Sequence, residues 1–397
     1  MNHGIERLRE DFPLLKEVVW LISAGVGPMP RTALSAVAEV QSRLYERLDP
    51  AAWEEEYGER CRKLIARLLS VAPEEIALVR STTEGLNTIA GAIPWKRGNT
   101  VVITDQEYPA NVVPWYHQAH RHDLEVRVVS SENGRLSLER FGEAIDRRTR
   151  VVAVSHVQFA SGFRTDLAAL AELAHAHGAL LIVDGIQAVG ALRVQPRELG
   201  IDALACGGYK WLCGPLGTGF LYVRRELADE LIPVALGYEQ ISAPEYEAIW
   251  DALCAGGTWV QDFSRPAAGA RRFDGVGLNP VLLSGLAAAV EYFLDLGLDW
   301  IEERVLELSG RLIERLREEG YSVVTPEERK ERAGIVLFRG PWDLSSKAAR
   351  EELEKRLLAA GVVASIRAGG IRASCHFFNT EEDLERLLEA LAQIELG

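Results

Sequence analysis

The chain has 397 residues, of which 48% are hydrophobic and 26% are charged. That length predicts two or three domains, and that composition is typical of a folded globular protein and excludes intrinsic disorder. The 58 Asp and Glu residues exceed the 44 Lys and Arg residues, and the net charge of −14 argues against nucleic acid as a partner.

Apolar, β-rich runs alternate with amphipathic helical patterns through the first two thirds of the chain. The helix predicted at 166–177, for example, is followed by Gly178, a residue typical of helix ends. Strands that alternate with helices predict a mostly parallel sheet covered on both faces, with its ligand at the carboxyl ends of the strands. The predicted strands are 76–80, 100–104, 124–130, 150–155, 179–183, 202–206 and 219–223.

The last third has a different pattern, in which an apolar helix at 280–296 leads into a charged helix at 299–320. Short strands then alternate with helices, and this α+β pattern predicts a second, smaller domain. The further predicted elements are strands 321–325, 333–338, 362–366 and 372–375 and helices 346–360 and 381–396.

A carboxylate and a lysine follow neighbouring strands of the predicted sheet. Asp184 ends one buried strand, and Lys210 comes just after the next, before the glycine-rich run 214–219. This pair suits pyridoxal phosphate, which needs an amine for its aldehyde and an anion beside its pyridine nitrogen. A carboxylate about 4 Å from the pyridinium is worth about 4 kcal/mol at an effective dielectric of about 20. Taken singly, Asp184 also fits a helix cap and Lys210 a solvated loop lysine.

Two further segments have hydroxyl or aromatic groups at the same edge. Strand 76–80 runs into Ser81, Thr82 and Thr83 at a helix start, which is a suitable phosphate site. Ser81 and Glu84 also fit a capping box, and the two interpretations are compatible. Tyr108, after strand 100–104, can stack on a flat cofactor or be an ordinary exposed loop tyrosine.

Arg367 and Arg372 lie between two short strands of the predicted small domain. Arginine binds a carboxylate through two hydrogen bonds at once, so either residue can hold a substrate carboxylate or form a surface ion pair. Arg372 is favoured as the carboxylate ligand because it precedes an apolar strand.

Together these motifs resemble the class V aminotransferase family of fold-type I pyridoxal-phosphate enzymes, which includes cysteine desulfurases, selenocysteine lyases and isopenicillin N epimerase. The resemblance covers nearly the whole chain. It implies an N-terminal segment at 1–25 that packs with the small domain, a large cofactor-binding domain at 26–277 with a seven-stranded, mostly parallel sheet, and a small α+β domain at 278–397. It also implies a homodimer.

The resemblance assigns roles residue by residue. Lys210 matches the Schiff-base lysine and proton shuttle, and Asp184 matches the partner of the pyridine nitrogen. Arg372 matches the arginine that binds the substrate carboxylate, and Arg367 is a second substrate-binding candidate. The other implied cofactor contacts are Thr82 and Thr83 to the phosphate, Tyr108 stacked on the ring, Gln187 to the phenolic oxygen, Tyr209 beside the lysine, and Gly277 toward the partner's phosphate.

The chain also departs from the family pattern. Desulfurases of this family carry the sulfur-accepting cysteine on a mobile loop just before the carboxylate-binding arginine, whereas only four residues separate Arg367 from Arg372 here, and none is cysteine. Tyr209 and Gly277 stand where histidine and threonine are common. Phe159 takes the place of an asparagine near the cofactor.

Several functions therefore stay open at this point. The sequence predicts a pyridoxal-phosphate enzyme that acts on a small amino acid by transamination, by C–S or β-elimination, or by epimerisation. The alternatives are a desulfurase without the loop cysteine, a nucleotide-dependent oxidoreductase, for which no Gly-x-Gly-x-x-Gly follows the first strand, and a non-catalytic binding module.

Cysteine usage and the N-terminus bear on the cellular compartment. The five cysteines are scattered without a CxxC pair, which favours reduced thiols and no metal site. The first 17 residues lack the apolar stretch of a signal peptide, and the longest apolar run has the length of a strand. We therefore expect a cytoplasmic enzyme that has no membrane partner.

Overall fold

The computed structural model describes residues 4–54, 56–258, 260, 262 and 264–394. Within this part of the chain, a seven-stranded sheet has the strand order β2-β8-β7-β6-β5-β3-β4. Strands β3 to β7 are parallel, and β8 runs antiparallel to both of its neighbours, β2 and β7. The sheet is thus α/β and mostly parallel, as the sequence predicts. The strands are β1 Val19–Trp20, β2 Ile76–Val79, β3 Thr100–Thr104, β4 Glu125–Val129, β5 Thr149–Ser155, β6 Leu180–Asp184, β7 Ala203–Gly207, β8 Gly219–Val223, β9 Ser322–Val323, β10 Ile335–Arg339, β11 Val362–Val363, β12 Ser365–Arg367 and β13 Gly370–Ser374.

Helices cover both faces of this sheet because its central strands are apolar on both sides. In β5, for example, Val152 and Val154 pack into one core cluster, whereas Val151 and Ala153 pack into the other. Alternate side chains of a strand point to opposite faces, so a strand buried on both faces needs a continuous apolar run. The α-helices are α1 Ile5–Arg9, α2 Arg31–Tyr45, α3 Pro50–Glu54, α4 Tyr57–Leu69, α5 Thr82–Ala92, α6 Val113–His122, α7 Leu138–Ala144, α8 Leu167–Ala176, α9 Arg225–Glu230, α10 Ala243–Ala255, α11 Pro280–Leu296, α12 Leu298–Glu318, α13 Lys347–Ala359 and α14 Glu381–Ala392.

A second, antiparallel sheet of order β12-β13-β10-β9 forms from the last third of the chain. The N-terminal strand β1 pairs with β11 beside it, so the first residues join the C-terminal part. Helix α11 instead packs on α2 and α4. The domain boundaries at 25/26 and 277/278 remain a prediction.

The predicted elements of the first two thirds lie within about two residues of the observed ones. The predicted strand 362–366 is two short strands, β11 and β12, and the predicted helix 381–396 ends at Ala392, with its residues 395 and 396 outside the described part of the chain. Strand β1 and helices α2, α4 and α10 had no counterpart among the predicted elements.

Among the described residues, no single helix has the length and apolar character of a membrane span. Helices α11 and α12 meet those criteria only as a pair, bent by 83°. Most apolar residues of α11 are buried within the protein.

Candidate active site

The carboxyl ends of the parallel strands form one edge of the large sheet, and several of the predicted site residues lie along it. Ser155 ends β5, Asp184 ends β6 and Gly207 ends β7, which leads directly to Lys210. Strand β2 is parallel to β7, because both pair antiparallel with β8, so the start of α5 comes to the same edge.

Lys210 is buried, with its ammonium nitrogen Nζ 5.6 Å from the centre of the Tyr108 ring and 5.9 Å from that of Tyr209. The backbone around it is held by Gly27, whose N–H donates to the carbonyl of Tyr209 over 2.8 Å. A Cβ on Gly27 would lie 2.1 Å from the carbonyl oxygen of Lys210, so this close approach requires glycine.

Burial, together with the nearby cations Arg372 and Arg367, lowers the pKa of Lys210 to about 8, against the opposing effect of Asp184. At neutral pH a much larger fraction of this side chain is therefore a neutral amine than for an ordinary lysine, whose pKa is 10.5. Neutral amines attack aldehydes, whereas ammonium groups do not.

We expect the cofactor-free protein to capture pyridoxal phosphate faster as the pH rises, with a midpoint near 8. The reason is that only the neutral amine of Lys210 reacts, and its pKa lies below the ordinary lysine value of 10.5. The growth of the visible absorbance band, followed by stopped flow, measures this rate. In Arg372→Ala the midpoint should move to higher pH because a nearby cation is lost. A wild-type midpoint at the ordinary lysine value would contradict the prediction.

Asp184 is buried at the end of β6, and its oxygen Oδ1 accepts the N–H of Ile186 over 3.0 Å. Its other oxygen, Oδ2, accepts no hydrogen bond from the residues that the structure describes. Burial, together with the nearby Glu107, raises the pKa of Asp184 to about 7, against the opposing effects of the Ile186 N–H and Lys210. A buried carboxylate with one unused oxygen fits a protonated pyridine nitrogen, whose N–H and positive charge would restore its ordinary acidity.

Arg372 lies buried on β13, close to this edge. Its Nη1 donates to the carbonyl of Phe159 over 2.8 Å, and its Nε donates to the hydroxyl of Ser365 over 3.1 Å. Burial, together with Arg367, lowers the pKa of Arg372 to about 10. Among the described residues no carboxylate pairs with Arg372, and its Nη2 has no partner, so the guanidinium can still bind an anion.

Thr82 is buried in the first turn of α5, and its hydroxyl accepts the N–H of Gly207 over 2.9 Å, which ties the helix start to the strand before Lys210. Thr83 is exposed in the same turn. Ser81 caps the helix by accepting the N–H of Glu84, but Glu84 bonds the N–H of Arg80 and not that of Ser81. The capping box is therefore only half formed.

Gln187 is buried three residues after the end of β6 and is held on two sides. Its Oε1 accepts the indole N–H of Trp211 over 2.8 Å, and its Nε2 donates to the carbonyl of Ala24 over 3.0 Å. These two bonds set the orientation of the amide and leave one N–H for another acceptor. Trp211 thus orients Gln187, a role that the sequence analysis missed.

Gly277 lies apart from this group of residues, on an exposed turn with a φ of 64°. Its N–H donates to Glu239 over 3.2 Å, and no described contact joins it to Lys210. Tyr209, in contrast, lies directly beside the lysine amine.

Glu107 is a buried site residue to which the sequence analysis gave no role. Within the described part of the chain it accepts hydrogen bonds from Thr104, Asn111, Gln158 and both the N–H and hydroxyl of Ser155, over 2.6 to 3.1 Å. This network holds the loop that carries Tyr108. Its position just after the end of β3, at the same edge of the sheet as Asp184 at the end of β6, was the signal that could have identified it.

The class V aminotransferase family model matches residues 20–387. A cysteine desulfurase from Salmonella gallinarum is 30% identical over 99% of both chains. The solved apo structure of a cysteine desulfurase from Thermococcus onnurineus is 27% identical, with a TM-score of 0.83 over 98% of both chains. The cystine C–S lyase C-DES shares the fold, with a TM-score of 0.85 at 22% identity over 96% of this chain and 99% of that one.

Fold and comparisons together define a fold-type I pyridoxal-phosphate enzyme. The chain belongs to the class V aminotransferase family. The unused oxygen of Asp184 and the partly neutral amine of Lys210 fit pyridoxal phosphate as its cofactor.

Proposed function

We propose that this enzyme cleaves the C–S bond of a cysteine-type amino acid by β-elimination and releases the sulfur product directly. The relative from Salmonella is named a cysteine desulfurase, which supports a sulfur-containing amino acid as the substrate. The observation that carries the proposal is the closed hairpin between β12 and β13. Ala368 and Gly369 form its two-residue turn with φ values of 47° and 72°, in the place where the family's desulfurases carry the cysteine loop.

The cysteines of this chain also support direct release. Cys61, Cys206, Cys213 and Cys375 are buried. Burial raises the pKa of the Cys206 thiol, which lies near Lys210, well above its ordinary value, so that thiol is a poor nucleophile. Cys254 is exposed on α10. Among the described residues, no loop thiol is thus in place to accept sulfur.

Arg372 is proposed to bind the α-carboxylate of the substrate, through the guanidinium nitrogen that has no other partner. Lys210 then takes the Cα proton and delivers a proton to the departing sulfur. A pKa of about 8 allows its side chain to act as base and acid near neutral pH. When bound, pyridoxal phosphate withdraws electrons from Cα and so makes this proton acidic.

The remaining site residues are proposed to hold the cofactor. Asp184 would keep the pyridine nitrogen protonated, and the free N–H of Gln187 would donate to the phenolic oxygen. Tyr108 would stack on the ring. The phosphate contacts would come from the start of α5, with Thr82 and Thr83, from Tyr209, and from Gly277 of a second subunit.

The net reaction with cysteine is cysteine plus water to pyruvate, ammonia and hydrogen sulfide. We expect these three products in equal amounts when purified enzyme is supplied with L-cysteine. Alanine as the organic product would instead identify a desulfurase, D-cysteine an epimerase, and a keto acid formed only with an amino acceptor a transaminase. Each of these outcomes would contradict the proposal.

The matched control for this test is Cys254→Ala, which removes the exposed thiol. Under the proposal this variant forms pyruvate and sulfide at the wild-type rate. A slower release of sulfide in Cys254→Ala than in wild type would show that a protein thiol takes part and would contradict direct release.

A homodimer is proposed as the active assembly. None of the residues of α10 is buried, and Tyr246, Trp250 and Leu253 form an exposed apolar stripe at helical spacing. Ile232 and Val234, just before this helix, are also exposed. Exposed apolar side chains gathered on one face of a helix are typical of an interface. Light scattering at micromolar concentration measures the mass, and that of a monomer would contradict the proposal.

A further inference from the structure

Two guanidinium groups lie near Lys210, whereas one is enough for the α-carboxylate of an amino acid. In the hairpin register Ser365 is opposite Arg372, and Arg367 is opposite Gly370. Residues two apart on a strand, and residues directly opposite each other, share one face of a hairpin. Arg367 and Arg372 therefore project from the same face.

The charges of the two arginines act on each other and on Lys210. Both cations lower the pKa of Lys210, and Arg367 lowers that of Arg372, which places the three charges within interaction range.

Arg367 has little to hold it in the protein itself. Its Nη1 donates to the carbonyl of its own neighbour Ile366 over 2.7 Å, and the side chain is exposed. Within the described part of this acidic chain, no carboxylate pairs with Arg367 or with Arg372. Two unpaired cations on one face repel each other, and a ligand with two anionic groups would relieve that repulsion.

We propose that Arg367 binds a second anionic group of the substrate, carried on the substituent at Cβ. The substrate class is then a cysteine derivative whose sulfur bears a sulfonate- or carboxylate-containing group. The identity of the substrate as a sulfur amino acid rests on the proposed C–S cleavage. The preference for a second negative charge rests on Arg367 and Arg372 alone.

The chemistry of such a substrate balances without an oxidant or a reductant. With S-sulfocysteine the Cβ–S bond breaks, its electron pair leaves with sulfur as thiosulfate, and the Cα proton stays with the enzyme until it is released. The organic product, 2-aminoacrylate, takes up water to give pyruvate and ammonia. Cystine would leave cysteine persulfide by the same step, with its distal carboxylate facing Arg367.

The kinetic test compares S-sulfocysteine with the uncharged S-methylcysteine. We expect Arg367→Ala to reduce the ratio of the two kcat/KM values about 10-fold, equivalent to ~1.4 kcal/mol, with partial retention in Arg367→Lys. Arg372→Ala should lower kcat/KM by the same factor for both substrates, because both carry the α-carboxylate. Cystine, assayed in parallel, distinguishes a carboxylate from a sulfonate as the preferred group.

Arg339→Ala is the matched control. Arg339 donates to the carbonyl of Ala368 over 3.3 Å and so contacts the same turn, without a described interaction with Lys210 or Arg372. The substrate ratio should be unchanged in this variant. An equal fall of the ratio in Arg339→Ala and Arg367→Ala would indicate hairpin distortion and overturn the inference.

A binding measurement separates this inference from the proposed reaction. Glutamate and glutamine have nearly the same shape and differ in side-chain charge, so calorimetry with the cofactor-loaded enzyme reports charge recognition without C–S cleavage. We expect tighter binding of glutamate, and loss of that preference in Arg367→Ala. If the preference holds but no sulfur amino acid is cleaved, only the proposed function fails. If C–S cleavage occurs, and Arg367→Ala changes neither the ratio of the two kcat/KM values nor the preference for glutamate over glutamine, only this inference fails.

Discussion

Lys210→Ala is expected to lower the rate of C–S cleavage by about 10³-fold or more, since general acid–base catalysis by one group typically contributes 10²–10⁴-fold. Lys210 is the amine proposed to link to the cofactor and to move the Cα proton, so its loss removes both functions. Turnover is measured by pyruvate formation. The visible spectrum should show a cofactor that is still bound through its other contacts but no longer linked to the protein.

The control for this variant is Lys63→Ala, which removes an exposed lysine on α4. Lys63→Ala should keep wild-type turnover and spectrum. Thermal unfolding of Lys210→Ala should remain cooperative, because Lys210 lies after the end of β7 and its side chain makes none of the hydrogen bonds of the sheet. Turnover near the wild-type rate in Lys210→Ala would rule out the assignment of this lysine.

The second large effect is expected for Asp184→Asn, which should lower kcat by about 10²–10³-fold. A carboxylate about 4 Å from a pyridinium contributes about 4 kcal/mol at an effective dielectric of about 20, and each 1.4 kcal/mol corresponds to about a factor of ten in rate. The asparagine can keep the hydrogen bond from Ile186 but lacks the charge that is proposed to hold the proton on the pyridine nitrogen. Asp184→Glu, which keeps the charge, should retain more activity than Asp184→Asn.

The cofactor-free protein supplies a readout for Asp184 that is independent of turnover. The pKa of Asp184 is raised by burial to about 7, from an ordinary value of 3.8. The folded state therefore binds this proton more tightly than the unfolded state, and stability is lost as the pH rises from about 4 through 7. Cofactor-free Asp184→Asn should thus have a higher Tm than wild type at pH 8, and the difference should vanish near pH 4. A lower Tm of the variant at pH 8 would contradict the assigned burial.

Several site residues lie where the sequence predicts them because strand ends are local features. Asp184 and Lys210 follow apolar runs that are buried on both faces of the sheet, and the strand–helix alternation makes those strands parallel. Once the strands are parallel, their carboxyl ends meet at one edge regardless of the details of packing. The same logic places Thr82 at that edge, although β8 turned out to be antiparallel to both of its neighbours.

Other features of the site depend on residues that are distant in the chain. The orientation of Gln187 depends on Trp211 and on the carbonyl of Ala24, which is 163 positions away. The carbonyl of Phe159 that accepts Arg372 is 213 positions from it. None of these three partners carries a local signal, because any backbone carbonyl or tryptophan N–H could have filled the same place.

The sequence by itself determined the class of fold, the edge of the sheet that holds the site, and the lysine and aspartate that suit the cofactor. These follow from the period of apolar residues and from which residues end the strands, both of which are local properties. Only the tertiary structure decided that Glu107 is a buried hub, that Gln187 is held in one orientation, and that Arg367 and Arg372 share one face beside Lys210 without a carboxylate among the described residues. These features arise from hydrogen bonds and charges between distant segments, whose meeting depends on the packing of the whole chain.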